Sequence, residues 1–391
     1  MVNSIMMIIT IGLILGVAFL LSDNKSKINK RTVLVGLGLQ SLLTLFVLKT
    51  SIGSKILESI ALGIQKVANF GLEGVNFVWG DLTGMNVFFV NVLTLIIFMS
   101  ALISVLQYFG VIPFLVRTIG GLLAKALGTN KAETFNAVAN VVLGQTESPL
   151  MIKPYFAKLS ESELFAVMVA GMGSASASIL IGYSAMGIPM KYLIIAVFTS
   201  MFSSLVIAKI MKPNTRKDNE KVEVVKSSAT NLFDAIGIGT MDGLNMVLAI
   251  MASLVAFVGL IAVVNGFLGL FNTDLTSILS ILFTPIAWLF NIPQADVQSF
   301  ASLLGTKLTV NEFVAFLSMG DMVNTMNPRT VAILAVALCN FANFSSIGIQ
   351  LGGLTSIAPE QRPNIAKLGF KALIGATLAT LLSGAIVGLI F

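Results

Sequence analysis

Histidine is absent from the 391-residue sequence, cysteine occurs once, at Cys339, and acidic and basic residues together make up only 11% of the chain. Without histidine there is no Ser-His or Cys-His nucleophile pair and no His-ligated zinc site. A single cysteine in an apolar segment excludes an internal disulfide. No Gly-rich phosphate loop of the GxxxxGK[ST] kind occurs, so the chain is not expected to hydrolyse ATP itself. Soluble domains usually carry about 25% charged residues, and the shortage here is made up by apolar ones, at 56% of the sequence. The mean hydropathy is +0.94, with repeated apolar runs long enough to cross a hydrocarbon core about 30 Å thick. These properties describe an all-α polytopic membrane protein. The formal net charge of +6 then reads as orientation in a bilayer rather than as affinity for nucleic acid.

The first apolar run covers residues 4–21 and is followed, not preceded, by the positive cluster Lys25, Lys27, Lys30 and Arg31. That is the reverse of a secretory leader, so a retained first span with an external amino terminus is expected. Further full-length candidates fall at 33–49, 86–109, 164–184, 190–211, 242–266, 330–354 and 368–391, for eight in all. Shorter or interrupted apolar stretches at 52–70, 112–127, 131–157, 228–240, 275–290 and 294–322 suggest interfacial helices or re-entrant hairpins. With the Asp23–Arg31 loop on the cytoplasmic side, alternation places three further Lys- and Arg-rich segments there: the hairpin flanked by Lys131 and Lys153, the tail Lys212–Lys226 and the link Glu360–Lys367. The positive-inside rule expects this, and it predicts a multi-pass protein of the cell membrane with both termini outside.

In this setting the run Gly144-Gln145-Thr146-Glu147-Ser148-Pro149 is anomalous. An ionisable residue at membrane depth costs roughly 2.5–3.5 kcal/mol on insertion scales and usually faces a pathway or a ligand. A second segment repeats the design. The first part comprises a polar hairpin ending in Gln145-Thr146-Glu147, a restart at Ser160-Glu161-Ser162-Glu163 and a helix interrupted at Gly173–Ser178. The second runs through Gly305-Thr306-Lys307 and Asn311-Glu312-Phe313, restarts at Asn327-Pro328-Arg329 and is interrupted at Asn340–Ser346. In each, a carboxylate precedes a polar residue of the interruption by 31 positions, Glu147 before Ser178 and Glu312 before Asn343. Ser160 with Glu163 fits a capping box, and Asn327 before Pro328 fits an N-cap with proline at the first helical position. Clusters of Ser, Gly and Asn unwind a helix because their side chains compete for backbone partners. Paired hairpins and broken helices are how many secondary transporters build a site at the bilayer midplane.

These residues carry a specific resemblance. Gly144–Pro149 resembles the GQTE-[AS]-P signature of the concentrative nucleoside transporter family, as do Gly305-Thr306-Lys307 with Asn311–Phe316, Asn343–Gly348 and Asp242-Gly243-Leu244-Asn245. The match runs in order along essentially the whole chain. It implies a homotrimer in the lipid bilayer whose protomers have eight spans, two re-entrant helical hairpins, interfacial helices and two broken helices in an inverted repeat. The implied division is scaffold helices at 1–110, a first transport repeat at 111–211, a link and sixth span at 212–274, and a second transport repeat at 275–391.

The implied function is cation-coupled import of nucleosides, with no organic cofactor and no catalytic residue. Gln145, Thr146 and Glu147 are implied at the nucleobase, Glu312, Asn343 and Ser346 at the ribose hydroxyls, and Ile179 and Phe341 as apolar walls. Asn140 and Ser174, with the backbone carbonyls of Leu143 and Ala175, match the positions that bind sodium in sodium-coupled members. Asn140 favours sodium over the proton, because proton-coupled relatives tend to lack this asparagine. Glu147 or Glu312 as a proton carrier is the alternative.

Plainer readings exist for each residue. Glu147 by itself fits a helix-end carboxylate pairing with Lys153, the Ser174–Ser178 run fits small-residue helix packing, and Asn343 and Ser346 fit interhelical glue. Lys307 fits support of the hairpin, and Asp234, Asp242 and Asp321 fit caps or interface residues. Met319-Gly320-Asp321 faintly resembles an intramembrane aspartyl protease motif, but Ser318 stands where that motif has glycine and a partner aspartate in mid-span is missing. A passive channel explains a polar path but not two hairpins meeting at one site. The closer competitor is a transporter of free nucleobases or another small polar solute.

Overall fold

The structure is a computed structural model and describes residues 2–85, 89–214, 222–225 and 227–391. The described residues form helices and no strands. In chain order these are α1 (Val2–Leu20), α2 (Lys30–Lys49), α3 (Ser51–Trp79), α4 (Thr94–Tyr108), α5 (Val111–Leu127), α6 (Lys131–Ala139), α7 (Lys153–Phe156), α8 (Glu161–Met172), α9 (Ala177–Ala185) and α10 (Met190–Met211). They continue as α11 (Leu232–Leu268), α12 (Leu275–Leu289), α13 (Gln294–Thr309), α14 (Glu312–Gly320), α15 (Pro328–Leu338), α16 (Phe344–Ile357) and α17 (Arg362–Ile390).

Among the described residues, six stretches are long and apolar enough to cross a membrane: Asn3–Leu20, Lys30–Lys49, Glu161–Ala185, Met190–Met211, Leu232–Ala252 and Pro359–Ile390. The pair α4 and α5 adds a seventh candidate, bent by 73°. The bend falls at Gly110, whose φ of +79° suits a residue without Cβ. Together α15 and α16 supply the broken segment expected at 330–354. Residues 86–88 of the expected third span, and 215–221 and 226 of the expected basic tail, lie outside the described residues.

Local chemistry sets the boundaries. Ser160 accepts from the Glu163 backbone N–H while the Glu163 carboxylate accepts from Ser160 N, which is the capping box that starts α8. Asn327 accepts from Arg329 N, with Pro328 in the first turn of α15. The interruptions are shorter than the polar clusters suggest. The first covers Gly173–Ser176, with Ala177 and Ser178 already helical, and the second covers Cys339–Asn343, with Phe344 to Ser346 opening α16.

One boundary differs from expectation. The separate stretches 228–240 and 242–266 are a single 37-residue helix, α11. At 1.5 Å per residue it measures about 55 Å, so it runs well beyond a bilayer core. Asp242 is therefore mid-helix and caps nothing, whereas Asp234 accepts from the Thr230 backbone and hydroxyl at the α11 start. The 52–70 stretch likewise extends to the 29-residue helix α3.

Burial separates two kinds of span. The apolar stretches of α8–α9 and of α10 are 94% buried, against 22% for α1 and for α2. The first broken helix thus lies in the protein interior, where freed backbone groups find partners. On the other side, α4 packs along α11. Gly239 and Gly243 allow this: a Cβ on Gly239 would stand 2.5 Å from Ser104 Cβ and 2.6 Å from the Ser100 carbonyl oxygen, and one on Gly243 would stand 2.7 Å from Ile97 Cα. This is the close approach that glycines four apart permit between membrane helices.

Candidate functional site

Two hairpins and two broken helices converge on one cavity. The first hairpin rises through α6 and turns at Asn140–Glu147 into a short 3-10 segment at Ser148–Ile152 and then α7. The second rises through α13, turns at Val310–Asn311 and returns through α14. Asn311 accepts from Val314 N at 3.0 Å, so Glu312 is the first residue of its helix. Asn343 accepts from Ser346 N at 3.0 Å and opens α16 in the same way.

The cavity has a volume of about 370 Å³, within the range of small-molecule sites. All eight residues implied at the solute line it: Gln145, Thr146, Glu147, Ile179, Glu312, Phe341, Asn343 and Ser346. At one end Glu312 is buried and fixed from two sides, its Oε1 accepting from the Tyr183 hydroxyl and its Oε2 from Asn343 Nδ2, each at 3.2 Å. A carboxylate offers about four acceptor positions, so two remain for hydroxyls in the cavity. The Tyr183 ring is itself held by Phe313 and Phe316, with centroids 5.0 Å and 4.6 Å away.

At the other end Gln145 Nε2 donates to Ser346 Oγ at 3.3 Å and Thr146 Oγ1 donates to Glu147 Oε1 at 3.1 Å. Gln145 Oε1 and Glu147 Oε2 have no hydrogen-bond partner among the described residues. Buried acceptors left open in this way are uncommon, and a ligand carrying N–H donors would satisfy both. The Glu147 carboxylate folds back over its own turn onto Gly144, where any Cβ would overlap Oε2. No ion pair joins Glu147 to Lys153 among the described residues.

The four residues matched to a cation lie beside this cavity, where α6 and α8 both end. The Asn140 carbonyl and the Ser174 hydroxyl stand 3.5 Å apart, and the Asn140 side-chain oxygen accepts from Ser148 Oγ at 2.8 Å. Ala177 N donates to the Val142 carbonyl and Phe341 N to the Ser174 carbonyl, each at 3.3 Å, which ties the first hairpin and both interruptions together. Among the described residues no backbone N–H reaches the carbonyls of Leu143 or Ala175. Free carbonyls at unwound segments, next to two helix C-termini with their partial negative charge, suit a monovalent cation. All four residues are buried.

The structure adds cavity residues not singled out as ligands from the sequence. Asp242, Asn245, Met246 and Ile250 of α11 line the side facing the hairpin tip. Their spacing puts them on one helical face, a signal legible in the Asp242–Asn245 motif but read as a cap or interface. Tyr183, the partner of Glu312, carried no sequence signal of its own. The 31-residue spacing acquires a meaning here: Glu312 and Asn343 are hydrogen-bonded, and Glu147 and Ser178 line a common smaller cavity. Lys307 is buried but does not line the main cavity.

Comparison with known proteins agrees with this geometry. Residues 9–82 and 192–388 match the N- and C-terminal parts of the family described as Na+ dependent nucleoside transporter, and residues 89–190 match a domain described as nucleoside recognition. The chain is 42% identical to an uncharacterized transporter, YutK, of Bacillus subtilis, over 96% of each protein. It is 37% identical to the nucleoside permease NupC of Helicobacter pylori, over 99% of this chain and 98% of that one. Its fold superposes with a TM-score of 0.95 on the transporter CNTnw in an inward-facing substrate-bound state, at 38% identity, over 100% of this chain and 98% of the other. The chain belongs to the Na+ dependent nucleoside transporter family and is a membrane transporter, not an enzyme.

Proposed function

We propose that this protein imports nucleosides across the cell membrane together with a sodium ion. The observation that carries this reading is the two-ended cavity. Glu312, anchored by Tyr183 and Asn343, offers acceptors for a pair of sugar hydroxyls, and Gln145 and Glu147 offer open acceptors for the N–H groups of a base. A charged acceptor makes stronger bonds to hydroxyls than a neutral one does. Ile179 and Phe341 supply apolar surface between the two ends. A free nucleobase would leave the Glu312 end unfilled, so a nucleoside fits better than a base.

Sodium is favoured by Asn140 and Ser174, whose oxygens stand 3.5 Å apart where α6 and α8 end, with the backbone carbonyls of Leu143 and Ala175 as the further ligands of this reading. A cation there stabilises the turn that presents Gln145 to Glu147 and so raises affinity for the solute. By linkage the solute raises cation affinity by the same factor. The alternative is proton coupling, with the open Glu147 Oε2 as carrier. One positive charge entering across about 100 mV contributes roughly 2.3 kcal/mol, enough at about 1.4 kcal/mol per tenfold for accumulation by some tens of fold. The repeats 111–211 and 275–391 then move against the regions 1–110 and 212–274, in a homotrimer with both termini outside.

The test is uptake of labelled uridine and adenosine into proteoliposomes, driven in turn by a sodium gradient and a proton gradient. Sodium-driven accumulation of either nucleoside is expected. Equal uptake with no gradient would overturn coupling, and accumulation driven only by protons would transfer the role to Glu147 or Glu312.

A further inference from the structure

Donors and acceptors are out of balance at the end of the main cavity formed by the first hairpin. Gln145 commits an amide N–H to Ser346 and Thr146 its hydroxyl proton to Glu147, whereas Gln145 Oε1 and Glu147 Oε2 are left open. Asp242 of α11 lines the same cavity. An ionised carboxylate only accepts, and among the described residues Asp242 makes no hydrogen bond or ion pair. It stands close enough to Glu147 for the two negative charges to repel each other. One helical turn further on, Asn245 also lines the cavity, and its amide offers both donors and an acceptor.

No structural duty accounts for Asp242. It lies well inside the 37-residue helix α11, where it caps neither end. A carboxylate at such a place in a membrane helix usually serves a pathway or a ligand. With Asp242 counted, this end of the cavity presents three acceptor groups that the protein itself leaves unfilled: the Gln145 amide oxygen, the free Glu147 oxygen and the Asp242 carboxylate. A solute that fits this end must bring donors.

Bases differ in how many donors they supply. Cytosine carries an amino group at position 4 and adenine one at position 6, each with two N–H donors, where uracil and hypoxanthine carry a keto oxygen. The single ring N–H of uridine or inosine fills one of the three acceptors, and its keto oxygen then competes with carboxylates for donors the site lacks. An amino group fills two, one on the hairpin tip and one on Asp242, and carboxylates accept from the cytosine amino group in nucleic-acid recognition in the same way. We propose that Asp242 is a specificity-determining residue that makes the site select nucleosides with an exocyclic amino group, cytidine and adenosine over uridine and inosine. This rests on the nucleoside reading above. Asn245 donates to the neighbouring ring nitrogen. Asp242 is exposed in the protomer, so the preference is about tenfold and not the roughly 10⁴-fold that enclosed polar sites reach.

Calorimetric titration of the purified protein in sodium-containing buffer tests this. Cytidine, uridine, adenosine and inosine share one sugar, so within each pyrimidine or purine pair affinities differ through the base edge alone. Cytidine should bind about tenfold more tightly than uridine, and adenosine about tenfold more tightly than inosine. Asp242→Asn keeps the size of the side chain and adds a donor, so uridine and inosine should gain and both ratios should fall close to unity; Asp242→Ser serves if that variant fails to fold. The ratio of cytidine to 2′-deoxycytidine, which reads the Glu312 end, should stay as in the wild type. Equal binding within both pairs by the wild type, or ratios that survive the substitution, would overturn the proposal and leave the nucleoside reading standing. A change in the sugar ratio as large as that in the base ratios would overturn it as well, since it would mark a general loosening of the site. Binding of none of the four would overturn the nucleoside reading and the proposal with it.

Discussion

Glu312 shows how a single residue depends on its surroundings. Its carboxylate is buried at the first position of α14 and is orientated by one hydroxyl and one amide. Glu312→Gln keeps the shape but replaces a charged acceptor with an amide, and charged hydrogen bonds contribute about 1.5–3 kcal/mol each. Nucleoside binding by isothermal titration should weaken at least tenfold, and Glu147→Gln should likewise abolish uptake with the protein still folded in detergent. Normal uptake by both variants would refute the site. Tyr183→Phe separates positioning from contact: it removes one bond to Glu312 without touching the cavity, at a cost of about 1 kcal/mol. The KM of uptake should rise about fivefold with little change in maximal rate, whereas a loss confined to maximal rate would exclude this role. Glu147 and Glu312 were legible in the sequence because a carboxylate in an apolar run is anomalous. Tyr183 was not, since a tyrosine in a hydrophobic helix is ordinary until a partner 129 positions away is seen beside it.

Helices are positioned by a few close approaches rather than by hydropathy. Gly239 and Gly243 are the clearest case, because both face the backbone or Cβ atoms of α4 at distances no side chain tolerates. Gly239→Val should push α4 from α11 and cost about 1–3 kcal/mol through overpacking. Thermal unfolding in detergent should register the loss, while Gly237→Val, where a Cβ meets open space, should be close to neutral. Equal effects of the two would show that helix propensity and not packing is at work. The sequence marked the helix breaks correctly in place but made them too wide. Ser178 and Ser346 are turn-forming in composition, yet each sits in the first turn of a new helix, its hydroxyl bonded to another side chain, Ser176 and Gln145 respectively. The separation of α11 into two pieces failed for a related reason. Polar residues near Asp242 lowered local hydropathy, but they serve the cavity and leave the helix intact.

Across the whole molecule, charged residues at one end join elements distant in sequence. Asp23 in the α1–α2 loop meets Lys371 and Lys212, and Glu161 at the start of α8 meets Lys212 and Lys367. Beneath them Glu133 of α6 pairs with Lys209 of α10, both buried. Partial burial pushes the Asp23 carboxyl up, but hydrogen bonds from Lys371 and Lys212 outweigh this and hold it below its ordinary value. A carboxylate lowered in the folded state contributes stability that is complete above its unfolded value, near pH 4, and disappears as pH falls through the folded value. Asp23→Asn should therefore lower the melting temperature at pH 6, and the difference from wild type should vanish as pH drops below about 4. A difference that persists unchanged at pH 3 would show that the effect is not electrostatic.

Composition and patterning by themselves determined the class: scarce charge and repeated apolar runs admit a polytopic helical membrane protein and little else. Motif order determined the family, and the doubled hairpin and break determined where polar groups gather, because such groups at membrane depth need a compensating purpose. Only the tertiary structure decided what those groups meet. It placed Tyr183 on Glu312, α11 across from the hairpin tip, and Glu223 and Val225 against the descending arm. These are contacts between residues far apart in the chain, set by which helices approach closely enough to pack. No local pattern encodes that approach.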